Sequence, residues 1–203
     1  AVLSKFLWTR GITVEKTNLY SVLFLFSMGI TKGKWSTLVT ELMAFKELYD
    51  SNAPLTRALP QLAAEFPIAY AGWGLRDLCD ALHAFNDEFG VAQVMRAMYV
   101  DLPEPVMTPA EAYDHLVRGQ IERVDIEQIS GRIAGTMLVP YPPGIPTIMP
   151  GERFGSSDEP IIQSLRIARE QNARFPGFES DVHGLIIDTD GDAPSYKVEV
   201  LKV

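Results

Sequence analysis

Residues 131–152 read Gly131-Arg132-Ile133-Ala134, then Leu138-Val139-Pro140-Tyr141-Pro142-Pro143-Gly144-Ile145-Pro146, then Met149-Pro150-Gly151-Glu152. Proline lacks a backbone donor and fixes φ, so closely spaced prolines exclude both a helix interior and the middle of a sheet. The other side chains of this segment are mostly apolar. We therefore predict a rigid, extended path that packs against other surfaces of the protein.

The composition is that of a globular chain with an acidic surface. The chain has 203 residues, 47% of them hydrophobic, and a formal net charge of -8. This length can bury a sizeable core without metal or disulfide staples. The negative charge disfavours nucleic acid and anionic membranes as partners, and it is compatible with cationic ligands such as basic amino acids. A solvated acidic surface explains the same charge without any ligand.

The cellular compartment of the protein is indicated by its cysteine content and by the length of its longest apolar run. Cys79 is the single cysteine, which excludes an intramolecular disulfide and suits the reducing cytoplasm. Residues 19–30 form the longest apolar run, and they are too few to span a bilayer. We expect a cytoplasmic protein that contacts neither membrane nor nucleic acid.

The first fifty residues have the rhythm of a small α/β subdomain. Residues 1–10 show helical spacing, with Gly11 as a C-cap. Residues 12–17 alternate weakly, and residues 20–27 read as a strand buried on both faces. Residues 35–49 carry one apolar stripe at spacings of three and four. The chain has no initiator Met or convincing N-cap, so we expect it to be cut from something longer.

The remainder is mostly helical and closes with a small sheet. The predicted helices cover 55–66 (interrupted or started by Pro60), 75–89, 91–99, 108–118 and 160–175, and the predicted strands cover 121–126, 184–188 and 196–203. Thr108-Pro109-Ala110-Glu111 is a strong helix start, and a turn around Asp190-Gly191-Asp192 joins the last two strands. The fold class is α+β: residues 1–45 end a small α/β subdomain, and residues 46–203 form a mostly helical C-terminal domain. One helix crosses this boundary, so the boundary is soft.

Spacing alone does not identify an enzyme. None of His83, His115 and His183 has another histidine nearby, and Cys79 is the single cysteine, so no metal site is predicted. His183 is the most suggestive of them, although a structural histidine at a strand start is commoner than a catalytic one. Two acidic pairs, Asp87 with Glu88 and Glu122 with Asp125, are candidates for general acid and base. Charged pairs on solvated faces are commoner than catalytic ones. Cys79 fits a core position better than a nucleophile.

Ordered strings along the whole chain carry a resemblance to a known family. They are Arg10-Gly11-Ile12, Val14-Glu15-Lys16-Thr17, Leu23-Phe24-Leu25-Phe26-Ser27-Met28-Gly29-Ile30, Thr31-Lys32-Gly33-Lys34-Trp35, Met107-Thr108-Pro109, Phe175-Pro176-Gly177-Phe178-Glu179, Asp181-Val182-His183-Gly184 and the proline segment above. Together they resemble the C-terminal region of the bacterial ornithine/lysine/arginine decarboxylases, which use pyridoxal phosphate (PLP).

This resemblance implies that most of the chemistry belongs to an upstream part of the protein. Family members have an N-terminal wing, a large PLP domain of the aspartate-aminotransferase type, a small subdomain and a C-terminal domain. Their Schiff-base lysine lies in a Ser-x-His-Lys motif, whereas no lysine of this chain follows a histidine. We therefore expect no catalytic or cofactor-binding residue here, and no decarboxylation by this chain alone.

Two residues of this chain match family positions near the substrate. The resemblance places Glu15 close to the distal amine of a basic amino acid, and Thr17 in the same string. The presence of Glu15, together with the Asp-Val-His-Gly string, favours lysine over arginine as the substrate, and both over ornithine. The alternative is that Glu15 is an edge-strand carboxylate paired with Lys16 or Lys34.

The family also implies partners. Its members form homodimers that assemble further into decamers, and exposed apolar faces of residues 1–45 would then receive the upstream domain. The proline segment would line the active-site entrance or a subunit contact, or would serve as a rigid connector, and the Tyr141-Pro142-Pro143 bonds could include a cis peptide. The rival interpretation is an independent, non-catalytic oligomerisation or binding module.

Overall fold

Helices and short strands alternate along the chain in a computed structural model, which describes residues 1–141, 144–189 and 194–202. The helices are α1 (Val2–Trp8), α2 (Lys32–Asp50), α3 (Leu55–Ala58), α4 (Pro60–Glu65), α5 (Leu75–Glu88), α6 (Val91–Ala97), α7 (Pro109–Val117) and α8 (Pro160–Arg174), with a 3-10 helix at Ile126–Gln128. The strands are β1 (Lys16–Thr17), β2 (Val22–Leu23), β3 (Glu104–Pro105), β4 (Ile121–Asp125), β5 (Val139–Tyr141), β6 (Glu152–Arg153), β7 (Asp181–His183), β8 (Ile186–Asp188) and β9 (Ser195–Leu201). The predicted α+β class is confirmed, and the strand pairs of the described residues are antiparallel.

The chain divides into two compact units. Unit 1 comprises Ala1–Glu88 with Phe175–Phe178, and unit 2 comprises Phe89–Arg174 with Glu179–Val203. Helix α2 runs without a break across the position between residues 45 and 46, as the soft boundary implied. The division into domains 1–45 and 46–203 stays a prediction.

In unit 1, helix α1 is fixed to α2 by aromatic and ionic contacts. Phe6 is fully buried, and its ring meets that of Phe45 edge-on at 5.2 Å between centroids. The Arg10 guanidinium lies 3.8 Å from the Phe6 ring centroid and pairs with Glu41 at 2.7 Å. As predicted, the helix ends before Gly11, which has a φ of 74°.

The predicted strand over residues 20–27 is wrong. Only Val22–Leu23 is extended and paired, and it forms a two-residue hairpin with β1. The segment is not buried on both faces, because Leu25 is 68% exposed and Phe26 is 58% exposed. A continuous apolar run indicates that some surface covers it, but it does not identify a sheet as that surface. The helix over 35–49 is confirmed by α2, although Trp35 at the head of its stripe is 45% exposed.

The other helices of unit 1 follow local signals closely. The predicted helix 55–66 is split into α3 and α4, because Pro60 at the first position of α4 starts a new helix after Leu59. On α5, Leu75, Leu78 and Phe85 of the predicted stripe are buried. These residues form the apolar face of the helix. Its residues His83 and Asp87 contact Tyr20 of the β1–β2 hairpin.

Unit 2 is built on a three-stranded sheet with strand order β4-β9-β8. Its core joins β9, α8 and the loops, through buried residues that include Val198, Val200, Ile161, Leu165 and Phe154. The predicted strand 121–126 and the predicted closing hairpin are confirmed by β4, β8 and β9. The predicted turn at Asp190-Gly191-Asp192 lies outside the described residues.

Helix α7 begins where its sequence predicted. Thr108 Oγ1 accepts a hydrogen bond from the Glu111 backbone N–H at 3.3 Å, while the Glu111 carboxylate accepts one from the Thr108 backbone N–H at 2.8 Å. These reciprocal bonds satisfy donors that the first helical turn leaves free. The helix ends at Val117, and Gly119 follows with a φ of 69°.

In the described part of the proline segment, residues Val139–Tyr141 are extended as predicted. Strand β5 pairs with β7, with Val139 opposite His183 and Tyr141 opposite Asp181. Leu138 bridges Ile148, and both side chains are buried in the core of unit 2. The question of a cis bond at Tyr141-Pro142-Pro143 falls outside the described residues, which omit Pro142 and Pro143.

Stability of unit 2 is expected to depend on the ionisation of Glu127. The Glu127 carboxylate accepts hydrogen bonds from Arg166 at 2.6 Å and 2.9 Å and from Arg169 at 2.9 Å, which tie the 3-10 helix to α8. The Arg166 hydrogen bond, more than the Arg169 one, lowers the pKa of Glu127 below its usual 4.5. A lowered folded-state pKa gives stability that is present above the unfolded pKa and lost as pH falls through the folded one.

Glu127→Gln is therefore expected to cost about 1 kcal/mol at about pH 7, since the pairs are partly exposed. The difference between variant and parent should shrink as the pH falls below 4.5. Urea unfolding of the 203-residue chain at a series of pH values measures this. A difference that stays constant down to about pH 3 would contradict the assignment.

Candidate functional site

The residues predicted to meet the substrate lie on the β1–β2 hairpin of unit 1. Thr17 pairs with Val22 in the strand ladder, and the Glu15 backbone N–H donates to the Leu23 carbonyl at 3.0 Å. The loop between the strands is closed by the Asn18 N–H, which donates to the Ser21 carbonyl at 2.8 Å. Glu15 lies at a bend in the backbone directly before β1, and Thr17 is the last residue of β1.

The Glu15 carboxylate is exposed. Within residues 1–141, 144–189 and 194–202 it forms no ion pair, so the pairing with Lys16 or Lys34 is not seen there. A solvated carboxylate of this kind can accept charge-assisted hydrogen bonds from an ammonium ion. Thr17 differs, because its hydroxyl is half-buried and shares a hydrogen bond of 2.6 Å with the Ser4 hydroxyl of α1.

The three histidines lie in separate environments. The His83 ring lies 5.7 Å from that of Tyr20, His115 lies in α7, and His183 lies at the end of β7. His183 Nε2 lies 3.8 Å from Asp181 Oδ2, and both side chains are exposed. No group of three or more His, Cys, Asp or Glu side chains in the described part of the chain is arranged to hold a metal ion.

Several acidic residues considered from sequence have structural partners. Glu122 pairs with Arg132, and Asp125 accepts a hydrogen bond from the Glu127 backbone N–H at 2.9 Å. Asp87 accepts one from the Tyr20 hydroxyl at 3.4 Å. These contacts account for Glu122, Asp125 and Asp87 without a catalytic role.

Cys79 has the properties of a packing residue. It is half-buried on α5, and burial raises the pKa of its thiol to about 11. The nucleophile is the thiolate, which a raised pKa depletes at neutral pH.

Sequence reasoning did not find Ser4 and Tyr20, which contact the hairpin or its partner helix. Their partners lie 13 and 67 residues away along the chain. A hydroxyl at a helical position and a tyrosine in a turn carry no local signal for such contacts. Only the tertiary arrangement of unit 1 shows them.

No helix among the described residues combines the length and apolar character that crossing a membrane requires.

The fold and the strings define the C-terminal region of a group of amino-acid decarboxylases. Residues 92–202 match the family model described as Orn/Lys/Arg decarboxylase, C-terminal domain. This match covers more than half of the chain, and the chain belongs to that family.

Particular relatives resemble the chain over its whole length. Lysine decarboxylase LdcA of Pseudomonas aeruginosa is 56% identical over 202 residues, which are 100% of this chain and 27% of that protein. The biodegradative arginine decarboxylase of Escherichia coli is 41% identical over 189 residues, 93% of this chain and 25% of that protein. The chain thus spans about a quarter of the length of these curated relatives.

Solved structures agree with the sequence matches. Lysine decarboxylase A from Pseudomonas aeruginosa superposes with a TM-score of 0.93 at 56% identity, covering 99% of this chain and 27% of that one. The constitutive lysine decarboxylase of E. coli superposes with a TM-score of 0.91 at 39% identity, covering 99% of this chain and 28% of that one.

Proposed function

We propose that this chain is the C-terminal part of a longer, PLP-dependent decarboxylase that converts lysine to its diamine and carbon dioxide. The observation that carries the proposal is the 56% identity to a lysine decarboxylase over the full length of this chain. Relatives named as arginine and ornithine decarboxylases are 41% and 33% identical, and two lysine decarboxylases of Escherichia coli are 39% and 37% identical. We place the whole protein in the cytoplasm, as the single cysteine suggests.

The cofactor belongs to the upstream part in this proposal. PLP supplies an electron sink for the carbanion left by decarboxylation. The seven lysines of this chain are each preceded by a residue other than histidine, so none fits the Ser-x-His-Lys position. We therefore assign no residue of this chain to hold PLP.

The contribution of this chain to the site is recognition of the far end of the substrate. The Glu15 carboxylate would accept hydrogen bonds from the distal ammonium of lysine, and Thr17 would lie two residues further along the hairpin. The exposure of Glu15 supports this role, because a carboxylate already engaged by an internal cation would be less available.

Unit 1 also offers apolar surface for the upstream part. Trp35, Val39 and Met43 recur at intervals of four along α2 and are all exposed. Leu25 and Phe26, from the segment wrongly predicted as a strand, are exposed too, and so is Met28 directly after it. Apolar groups of this extent are usually covered in the working protein. We propose that the upstream domain covers them and that the protein forms homodimers, which assemble further into decamers.

Purified full-length protein tests the proposal. It is expected to absorb visible light through a PLP Schiff base and to release carbon dioxide from lysine faster than from arginine or ornithine. The 203-residue chain alone should be colourless and inactive. A full-length protein with no visible band and no turnover would instead favour the non-catalytic oligomerisation module.

A further inference from the structure

The hairpin that carries Glu15 has little stability of its own. Each of its strands is two residues long, and Leu23 of β2 is exposed. A two-stranded hairpin is marginally stable in water without further packing. The position of the Glu15 carboxylate must therefore depend on contacts between the hairpin and the rest of unit 1.

One such contact lies at the strand pair next to the hairpin loop, where Thr17 stands opposite Val22. The Ser4 and Thr17 hydroxyl oxygens are 2.6 Å apart, and the pair is partly buried. Ser4 belongs to α1, whose Phe6 and Leu7 are fully buried, so it provides a rigid reference point. Thr17 follows Glu15 by two residues along the chain. Holding Thr17 thus restricts the backbone directly next to Glu15.

A second contact lies at the tip. The Tyr20 hydroxyl donates to Asp87 at 3.4 Å, and its ring lies against His83 at 5.7 Å between centroids. Both partners are on α5, which is itself anchored by the buried side chains of Leu78 and Phe85. The loop is thereby attached to a second helix of the same unit, three residues along the chain from the contact between Ser4 and Thr17.

We propose that Ser4 and Tyr20 are positioning residues, which hold the hairpin at the end of β1 and in its loop so that Glu15 is preset to receive the distal ammonium of the substrate. This inference rests on the proposed function, and it extends that function to residues outside the substrate-contacting string. Presetting a binding group reduces the ordering that the substrate must otherwise impose.

The test uses the full-length protein and a double-mutant cycle. Ser4→Ala and Tyr20→Phe are each expected to raise KM for lysine about three- to tenfold, the range of one neutral hydrogen bond. Because Glu15 is a uniform-binding contact, kcat should stay within about twofold. In a Glu15→Gln background the same changes should have little further effect, because residues that act through a common group are not additive.

Tyr49→Phe is the matched control. The Tyr49 hydroxyl donates to Asp80 of α5 at 3.2 Å, so the substitution removes a Tyr–Asp bond to the same helix that does not involve the hairpin. It should cost similar thermal stability while leaving KM unchanged.

Wild-type turnover with unchanged KM in both variants would overturn the inference, as would a KM effect that persists in full when Glu15 is already Gln. A Glu15→Gln enzyme with normal KM would also overturn it, while leaving the decarboxylase assignment in place. Absence of PLP-dependent turnover in the wild type would remove the proposed function and this inference together.

Discussion

Glu15→Gln in the full-length protein is expected to lower kcat/KM for lysine by about tenfold or more. A hydrogen bond to a charged group contributes about 1.5–3 kcal/mol, and the amide keeps an acceptor oxygen but loses the negative charge. The side chain is exposed, so the substitution leaves no buried group unpaired within unit 1. The loss should therefore be one of recognition rather than of folding.

Steady-state kinetics with lysine measures this effect, and the PLP absorbance band shows whether the cofactor site is intact. Glu47→Gln is a suitable control, because Glu47 is an exposed carboxylate on α2 of the same unit. Its kcat/KM should match the wild type. An unchanged kcat/KM in Glu15→Gln would exclude Glu15 from the substrate site.

Gly184→Ala is expected to destabilise unit 2 by about 2–4 kcal/mol. Gly184 has a φ of 90°, and an added Cβ would lie 2.1 Å from the carbonyl oxygen of Met137. The obstacle is backbone next to the β5–β7 pair, so it cannot rotate away as a side chain would. The Leu185 N–H donates to the Val182 carbonyl at 3.1 Å across this turn, and the positive φ at its third residue is the one that favours glycine.

Gly119→Ala provides the comparison. Gly119 has a φ of 69°, but nothing lies within 4 Å of an added Cβ. This variant should lose only about 1 kcal/mol, the cost of left-handed backbone for a residue with a side chain. Urea unfolding of the two variants separates steric conflict from backbone strain. Equal losses would show that Met137 yields to the added methyl group.

The last position of the Asp-Val-His-Gly string thus has a structural explanation. Gly177 in Phe175-Pro176-Gly177-Phe178-Glu179 is similar: its φ is 87°, and a Cβ would come within 2.5 Å of Leu62. The Gly177 carbonyl also accepts a hydrogen bond from Lys5 at 2.8 Å. Family strings therefore mark positions where backbone conformation and close packing select the residue, as well as positions that meet a substrate.

Local interactions explain which elements could be predicted. The start of α7 follows from Thr108 and Glu111, the break between α3 and α4 follows from Pro60, and the end of α1 follows from Gly11. Each signal acts within one helical turn, so it is present in the sequence and operates in the same way in the fold. The family was also predictable from the sequence, because the matching strings stand in order along the chain.

Only the tertiary structure determined the conformation and exposure of residues 20–27 and the surroundings of Glu15. An apolar run states that burial is favourable but leaves open which surface provides it, because the hydrophobic effect has no direction. The Ser4–Thr17 and Tyr20–Asp87 contacts join residues 13 and 67 positions apart, and such pairs exist only once α1, α5 and the hairpin have packed together. Composition, helix boundaries and family thus belong to the sequence, whereas the preset geometry of the Glu15 hairpin arises from long-range packing.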